Sequence, residues 1–131
     1  NSKSVAVIGQ SIGAAVASYY ASSAQVNNVV LLAPFTSTYD VAPFLYKLFP
    51  LRVILKEDYN LVQYLREYTN TILIMHGDRD TIVPSKHSRK LFEALTTERK
   101  RYVLIEGAGH NTMFEYQKTE QTLREFLQGK N

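Results

Sequence analysis

Four short apolar runs punctuate the chain: Val5–Ile8, Val29–Leu32, Ile72–Met75 and Tyr102–Ile105. Each is continuous rather than alternating, the pattern of strands buried on both faces, as in a parallel sheet. Between them the spacing becomes helical. Gly13–Ser23 is rich in alanine. Asn60, with Gln63 three residues on, has the form of a capping box and opens a helix over Leu61–Tyr68. Ser85–Leu95 starts just after Val83-Pro84, and Glu115–Leu127 closes the sequence. Strand and helix alternate, so the fold class is α/β: a parallel sheet of about four strands with flanking helices. No repeat, low-complexity tract or linker divides residues 1–131, which read as one domain.

The longest irregular piece runs from Pro34 to Tyr59. Within it Val41, Phe44, Leu45 and Leu48 stand at i, i+3, i+4 and i+7, one apolar helical face. This face reads as a helix packed on the core. A small lid or acyl-binding wall is the second reading, and a helix lying on a membrane surface the third.

Composition narrows the class. Of the 131 residues, 45% are hydrophobic and 21% charged, which excludes disordered and collagen-like chains. The formal net charge of +3 is too small and too evenly spread to suggest nucleic acid as a partner. The basic cluster Arg99–Arg101 reads as a solvated turn. There is no cysteine, so disulfides and thiolate metal sites are excluded. His76, His87 and His110 lack metal-binding spacing. No apolar run approaches the ~20 residues that span a bilayer. The expected location is cytoplasmic. Because the chain begins at Asn1, a membrane association through an upstream segment is the alternative.

The chemistry starts at Gly9-Gln10-Ser11-Ile12-Gly13, where a buried strand turns at once into a helix. A nucleophilic hydroxyl must stand clear of its backbone, and a sharp strand-to-helix turn achieves that. The turn is crowded, so small residues are expected two places before and after the serine, where Gly9 and Gly13 stand. The turn also sets Ser11 at a helix start, where free N–H groups favour a developing oxyanion. Ile12 N–H is the expected donor. G-x-S-x-G arises by chance at roughly one position in a few thousand, and the strand–turn–helix context makes it rarer still.

Two more signals follow. In Ile72–Pro84 a buried strand ends in acidic residues, and that edge of an open parallel sheet is where sites assemble. In Tyr102–Asn111 a final strand ends in a glycine loop carrying His110. Serine, aspartate and histidine thus each follow a parallel strand, in the order used by α/β hydrolases and not by the two protease classes with other orders.

With GQSIG, LLAPFTS, HGDRDTIVP and EGAGHN in that order, the chain resembles the catalytic half of the α/β-hydrolase superfamily. It looks most like the branch of small-lidded esterases, acyl-protein thioesterases and lysophospholipases. The resemblance implies Ser11 as nucleophile, Asp80, the last residue of H-G-x-x-D, as acid, and His110 of G-x-G-H as base. It implies no cofactor and no metal, and an acyl ester substrate, small or lipid. Asp40 and Asp78 are rival acids. His76 reads as structural, His87 as a surface residue on its helix, and Asn111 as a residue fixing the base loop.

One departure stands out. Superfamily members carry about four strands before the elbow, whereas here the elbow strand comes first. The second oxyanion donor normally comes from a loop after an early strand. Losing one such donor costs ~10²–10³ in turnover. Added in sequence order by right-handed crossovers, the strands place three connecting helices on one face. Only the last helix can cover the other face, leaving the first strand with an open apolar edge. The chain is therefore expected to be part of a longer hydrolase lacking its N-terminal strands, or to self-associate through that edge.

Overall fold

The computed structural model describes residues 4–46 and 57–130. Four parallel strands follow one another in sequence order across the sheet: β1 (Ala6–Gln10), β2 (Asn28–Leu32), β3 (Thr71–Gly77) and β4 (Lys100–Ile105). Val7 pairs with Val29, Val29 with Ile72, and Ile74 with Tyr102. The helices are α1 (Ile12–Ser23), α2 (Thr38–Leu45), α3 (Leu61–Tyr64), α4 (Ser85–Ala94) and α5 (Gln117–Leu127), with a 3₁₀ turn at Met113–Glu115.

The pleat divides the core. Val29, Leu31, Ile72 and Ile74 face α1 to α4, where Ala14, Ala17, Val41, Leu45, Leu61 and Leu91 close over them. Their strand neighbours Val30, Leu32, Leu73 and Met75 face the other way, onto Met113 and Phe126. Right-handed crossovers require this arrangement, because each connecting helix returns to the same side. Among the described residues only α5 and the 3₁₀ turn before it cover the second face, and their cover stops short of β1. Val5 and Ile8 are left 44% and 47% exposed at that edge. The opposite edge is treated differently: Lys118 Nζ donates to the Leu104 carbonyl, 3.1 Å away, on the outer strand β4.

The α2 segment supports the core-packing reading, with Val41 and Leu45 fully buried. Leu48, the last position of its apolar face, lies outside the described residues. Three sequence expectations need correction. The helix begun by Asn60 ends at Tyr64 rather than Tyr68. Asn60 caps it, accepting from Gln63 N–H at 3.0 Å. The chain then drops toward β3, where Tyr68 and Asn70 both donate to the Val26 carbonyl. The terminal helix is split, because Tyr116 is extended between the 3₁₀ turn and α5. Lys100 and Arg101 form the start of β4 rather than a solvated turn. Lys100 is held there by donating to the Phe92 and Leu95 carbonyls at the end of α4. Among the described residues, no helix is long and apolar enough to cross a membrane.

Candidate active site

Ser11 sits between β1 and α1 with φ 52° and ψ −118°, a backbone conformation that non-glycine residues rarely adopt. Its N–H donates to the Leu32 carbonyl at 2.9 Å, and its own carbonyl accepts from Ala14. The tight bend explains Gly9. A Cβ there would stand 2.2 Å from the Gly13 carbonyl oxygen and 2.8 Å from Ala17 Cβ. Gly13 behaves otherwise than expected, since a Cβ on it would meet nothing within 4 Å. It contributes a close-packed carbonyl rather than a missing side chain. Ile12 N–H has no acceptor among the described residues, so it is free to receive an anion. Ser11 Oγ is buried and likewise unpartnered.

Asp80 lies in the loop after β3, nearly buried at 6% exposure. Its Oδ1 accepts from Ile82 N–H and Val83 N–H, both at 2.9 Å. Its Oδ2 meets His110 Nδ1 at 2.7 Å and His76 Nε2 at 3.0 Å. Burial alone would favour the neutral acid. The hydrogen bonds from His110, His76 and Val83 prevail and hold the carboxyl well below the usual carboxylate range. An ionised Asp80 fixes the proton on His110 Nδ1 and leaves Nε2 as the proton acceptor.

The loops after β3 and β4 approach so closely that a Cβ on Gly77 would fall 2.2 Å from the Ala108 carbonyl oxygen. Arg79 N–H donates to Ala108, and Asp78 accepts from Gly107 N–H at 2.7 Å. Asp78 thus ties the loops together rather than orienting a histidine. The base loop is fixed by Thr112, whose Oγ1 accepts from Gly109 N–H at 2.8 Å. Asn111 is exposed and does not perform the role expected of it. Asp40, on the first turn of α2, is hydrogen-bonded to Thr36 and Ser37 and makes no bond to His110. His87 is half-buried on α4, edge-on to Phe44 at 5.3 Å, with Nε2 enclosed. Desolvation, helped by the Lys86 charge, lowers its pKa.

Asp80 and His110 are therefore in direct contact, while the Ser11–His110 hydrogen bond is not made. Gln10 spans the gap between the two halves. Its Nε2 donates to the His110 carbonyl at 3.1 Å, tying the elbow to the base loop across 100 residues of sequence. Such a leg is often open in an unliganded site and closes on substrate. A groove of about 430 Å³ starts beside Ile12, lined by Val16, Tyr19, Tyr59 and Tyr64. Among the described residues, no cluster of three or more His, Asp or Glu side chains is arranged to hold a metal ion. The sequence reading missed the His76–Asp80 contact, Gly77 and Thr112. A glycine where a buried strand ends was the available signal for Gly77, and a threonine three places after Gly109 for the loop turn.

A parallel sheet with a strained serine elbow and an acid–histidine pair at the carboxyl ends of its strands defines an α/β hydrolase. Residues 52–117, half of the chain, match the family described as serine aminopeptidase, S33, and the chain belongs to that family. The matched segment contains Asp80 and His110, with Ser11 upstream of it. A protein of Mycobacterium tuberculosis is 37% identical over 107 residues, 82% of this chain and 38% of that protein. The human α/β hydrolase domain-containing protein 17B is 28% identical, over 95% of this chain and 42% of its own length. The chain thus spans about two-fifths of these relatives. Among solved structures, the Pyrococcus furiosus esterase Pf2001 superposes with a TM-score of 0.78 at 22% identity, over 97% of this chain and 54% of the esterase. The Paleococcus ferrophilus monoacylglycerol lipase gives 0.66 at 19%, over 96% and 67%. Both show the same fold.

Proposed function

We propose that this chain carries the reaction centre of a serine hydrolase that cleaves carboxylic esters or thioesters through an acyl-enzyme. The observation that carries the reading is Ser11, with its Oγ free on a strained elbow that Gln10 ties to an Asp80-oriented histidine. In the reaction His110 Nε2 accepts the Ser11 proton as Oγ attacks the acyl carbon. The proton then passes to the leaving group. Asp80 stays ionised and stabilises the imidazolium, and Ile12 N–H receives the oxyanion. Water, deprotonated by His110, adds to the acyl carbon and restores Ser11. The groove beside Ile12, lined by aliphatic side chains, three tyrosines and Glu57, has room for an acyl group, in keeping with the esterase and lipase among the similar structures. A second oxyanion donor would come from residues beyond these 131, since the relatives are more than twice as long.

The family's printed description favours a second reading, an aminopeptidase using the same three residues. A fluorophosphonate probe separates these readings from a non-catalytic role. Applied to the full natural protein, it should label Ser11 and leave Ser11→Ala unlabelled. Turnover of short-chain nitrophenyl esters without release of nitroaniline from aminoacyl anilides selects the esterase. Labelling that survives Ser11→Ala would overturn both.

A further inference from the structure

His76 is the one polar side chain among the buried residues of β3, and it is fully enclosed. Its Nε2 lies 2.7 Å from the Val83 carbonyl and 3.0 Å from Asp80 Oδ2. Both neighbours are acceptors, so Nε2 must carry the proton. Nδ1 is buried without any partner. An apolar side chain of similar size would fill the space and leave no orphaned nitrogen. The cost of that orphan needs an explanation beyond packing. The geometry of Asp80 supplies one. Its Oδ1 is clamped by two backbone N–H groups, which still allows the carboxylate to tilt about that end. Its Oδ2 is the atom that must point at His110, and the one Nε2–H of His76, shared with the nearer Val83 carbonyl, reaches that same atom.

We propose that His76 is a positioning residue for the hydrolytic reaction: its Nε2–H shares Asp80 Oδ2 with His110 and locks the carboxylate in the orientation that His110 requires. The inference rests on the Ser11–His110–Asp80 reading. It places two imidazoles on one carboxylate oxygen, one acting on Ser11 and the other acting only through Asp80. By taking part of the charge on Oδ2, His76 also keeps the acid from accepting the His110 proton during turnover. This agrees with the strongly depressed proton affinity of Asp80.

The test uses the full natural protein with His76→Leu, which removes the donor, and His76→Gln, which keeps an N–H near the Nε2 position. With a nitrophenyl ester, His76→Leu should lower kcat about 10- to 100-fold, the effect of losing a hydrogen bond to a charged group, with KM unchanged. His76→Gln should recover most of the loss. In an Asp80→Asn background, His76→Leu should change the acylation rate by less than about twofold, because coupled residues are not additive. The low-field proton resonance of the His110 Nδ1–H should move in His76→Leu and persist in Ser11→Ala. That signature is readable without turnover. The proposal is overturned if kcat stays within twofold of the parent, if Gln does not restore it, or if the loss is equal in both backgrounds. A parent protein that reacts with no serine probe removes the reading beneath it. Normal Ser11 dependence with an indifferent His76 removes the positioning role alone. Should His76→Leu fail to fold, His76→Met, which also removes the donor, takes its place in the kinetic and resonance comparisons with the same outcomes expected.

Discussion

The two halves of the candidate site are held in opposite ways. The acid–base half joins the loops after β3 and β4, and every oxygen of Asp80 is satisfied within the chain. The nucleophile half hangs on the edge strand β1, with Ser11 in a sparsely populated conformation and its hydroxyl unpartnered. One half keeps its non-glycine residues out of the positive-φ region. The other stores backbone strain of about 1–3 kcal/mol, which the packing of Gly9 against Gly13 keeps in place. Asp80 and His110 thus meet through ordinary hydrogen bonds, whereas Ser11 is held by packing in a conformation it would not choose for itself.

Substitutions should separate the halves by the sign of their effect on stability. The largest contrast is Ser11→Gly. It should abolish ester turnover by about 10⁶-fold. It should also raise stability by about 1 kcal/mol in urea unfolding, because glycine accepts positive φ without strain. An unchanged or lowered midpoint would erase the distinction drawn above. Asp80→Asn should instead lose on both counts, with kcat down about 10⁴-fold and stability down by about 1–3 kcal/mol, the loss of hydrogen bonds to a charged acceptor.

The pH dependence follows from the depressed acid. Its stabilisation is fully present above an ordinary carboxylate value of about 4 and is lost as pH falls through the lower native value. Acid unfolding of Asp80→Asn should therefore be less steep below that point than the parent's. Among the glycines, Gly9→Ala and Gly77→Ala should each cost about 3 kcal/mol, because a carbonyl oxygen occupies the Cβ position. Gly13→Ala should be neutral or stabilising by about 0.5–1 kcal/mol, since it adds a helix former in open space. Differential scanning calorimetry of the three variants checks this ordering. The smallest effect concerns His87, outside both halves. Its lowered pKa means the unfolded chain takes up a proton first as pH drops below about 6.5, so stability declines there. His87→Gln should flatten that slope between neutral and mildly acidic pH.

Much of this arrangement was legible in the order of residues. The four continuous apolar runs lie within the four strands to a residue or two, but only β2 and β3 are buried on both sides as such runs predict; the outer strands β1 and β4 leave Ile8 and Leu104 exposed. The exception is informative. Lys100 and Arg101 look like a turn because charge usually means solvent, yet the Lys100 ammonium caps the last carbonyls of α4 from within a strand. Tyr68 shows the same limit, since a helical pattern gives no warning that a side chain will reach inward to Val26. Ser11 and His110 could be picked out because each follows a strand, whereas that rule left Asp78 and Asp80 open and the resemblance at H-G-x-x-D chose Asp80. His76 could not, because a histidine at a strand end carries no mark of the partner waiting four residues on. Nor could the sequence say that Thr112, rather than Asn111, closes the base loop.

The Lys118 contact gives the ribbon a direction. Hanging an ammonium group over the Leu104 carbonyl means that any strand arriving beside β4 must strip water from a cation before it can bond. Among the described residues no comparable charge contacts the far side, where Val5 and Ile8 stand uncovered. The two flanks therefore offer an incoming strand different chemistry: a cation on a carbonyl beside β4, and uncovered apolar side chains beside β1.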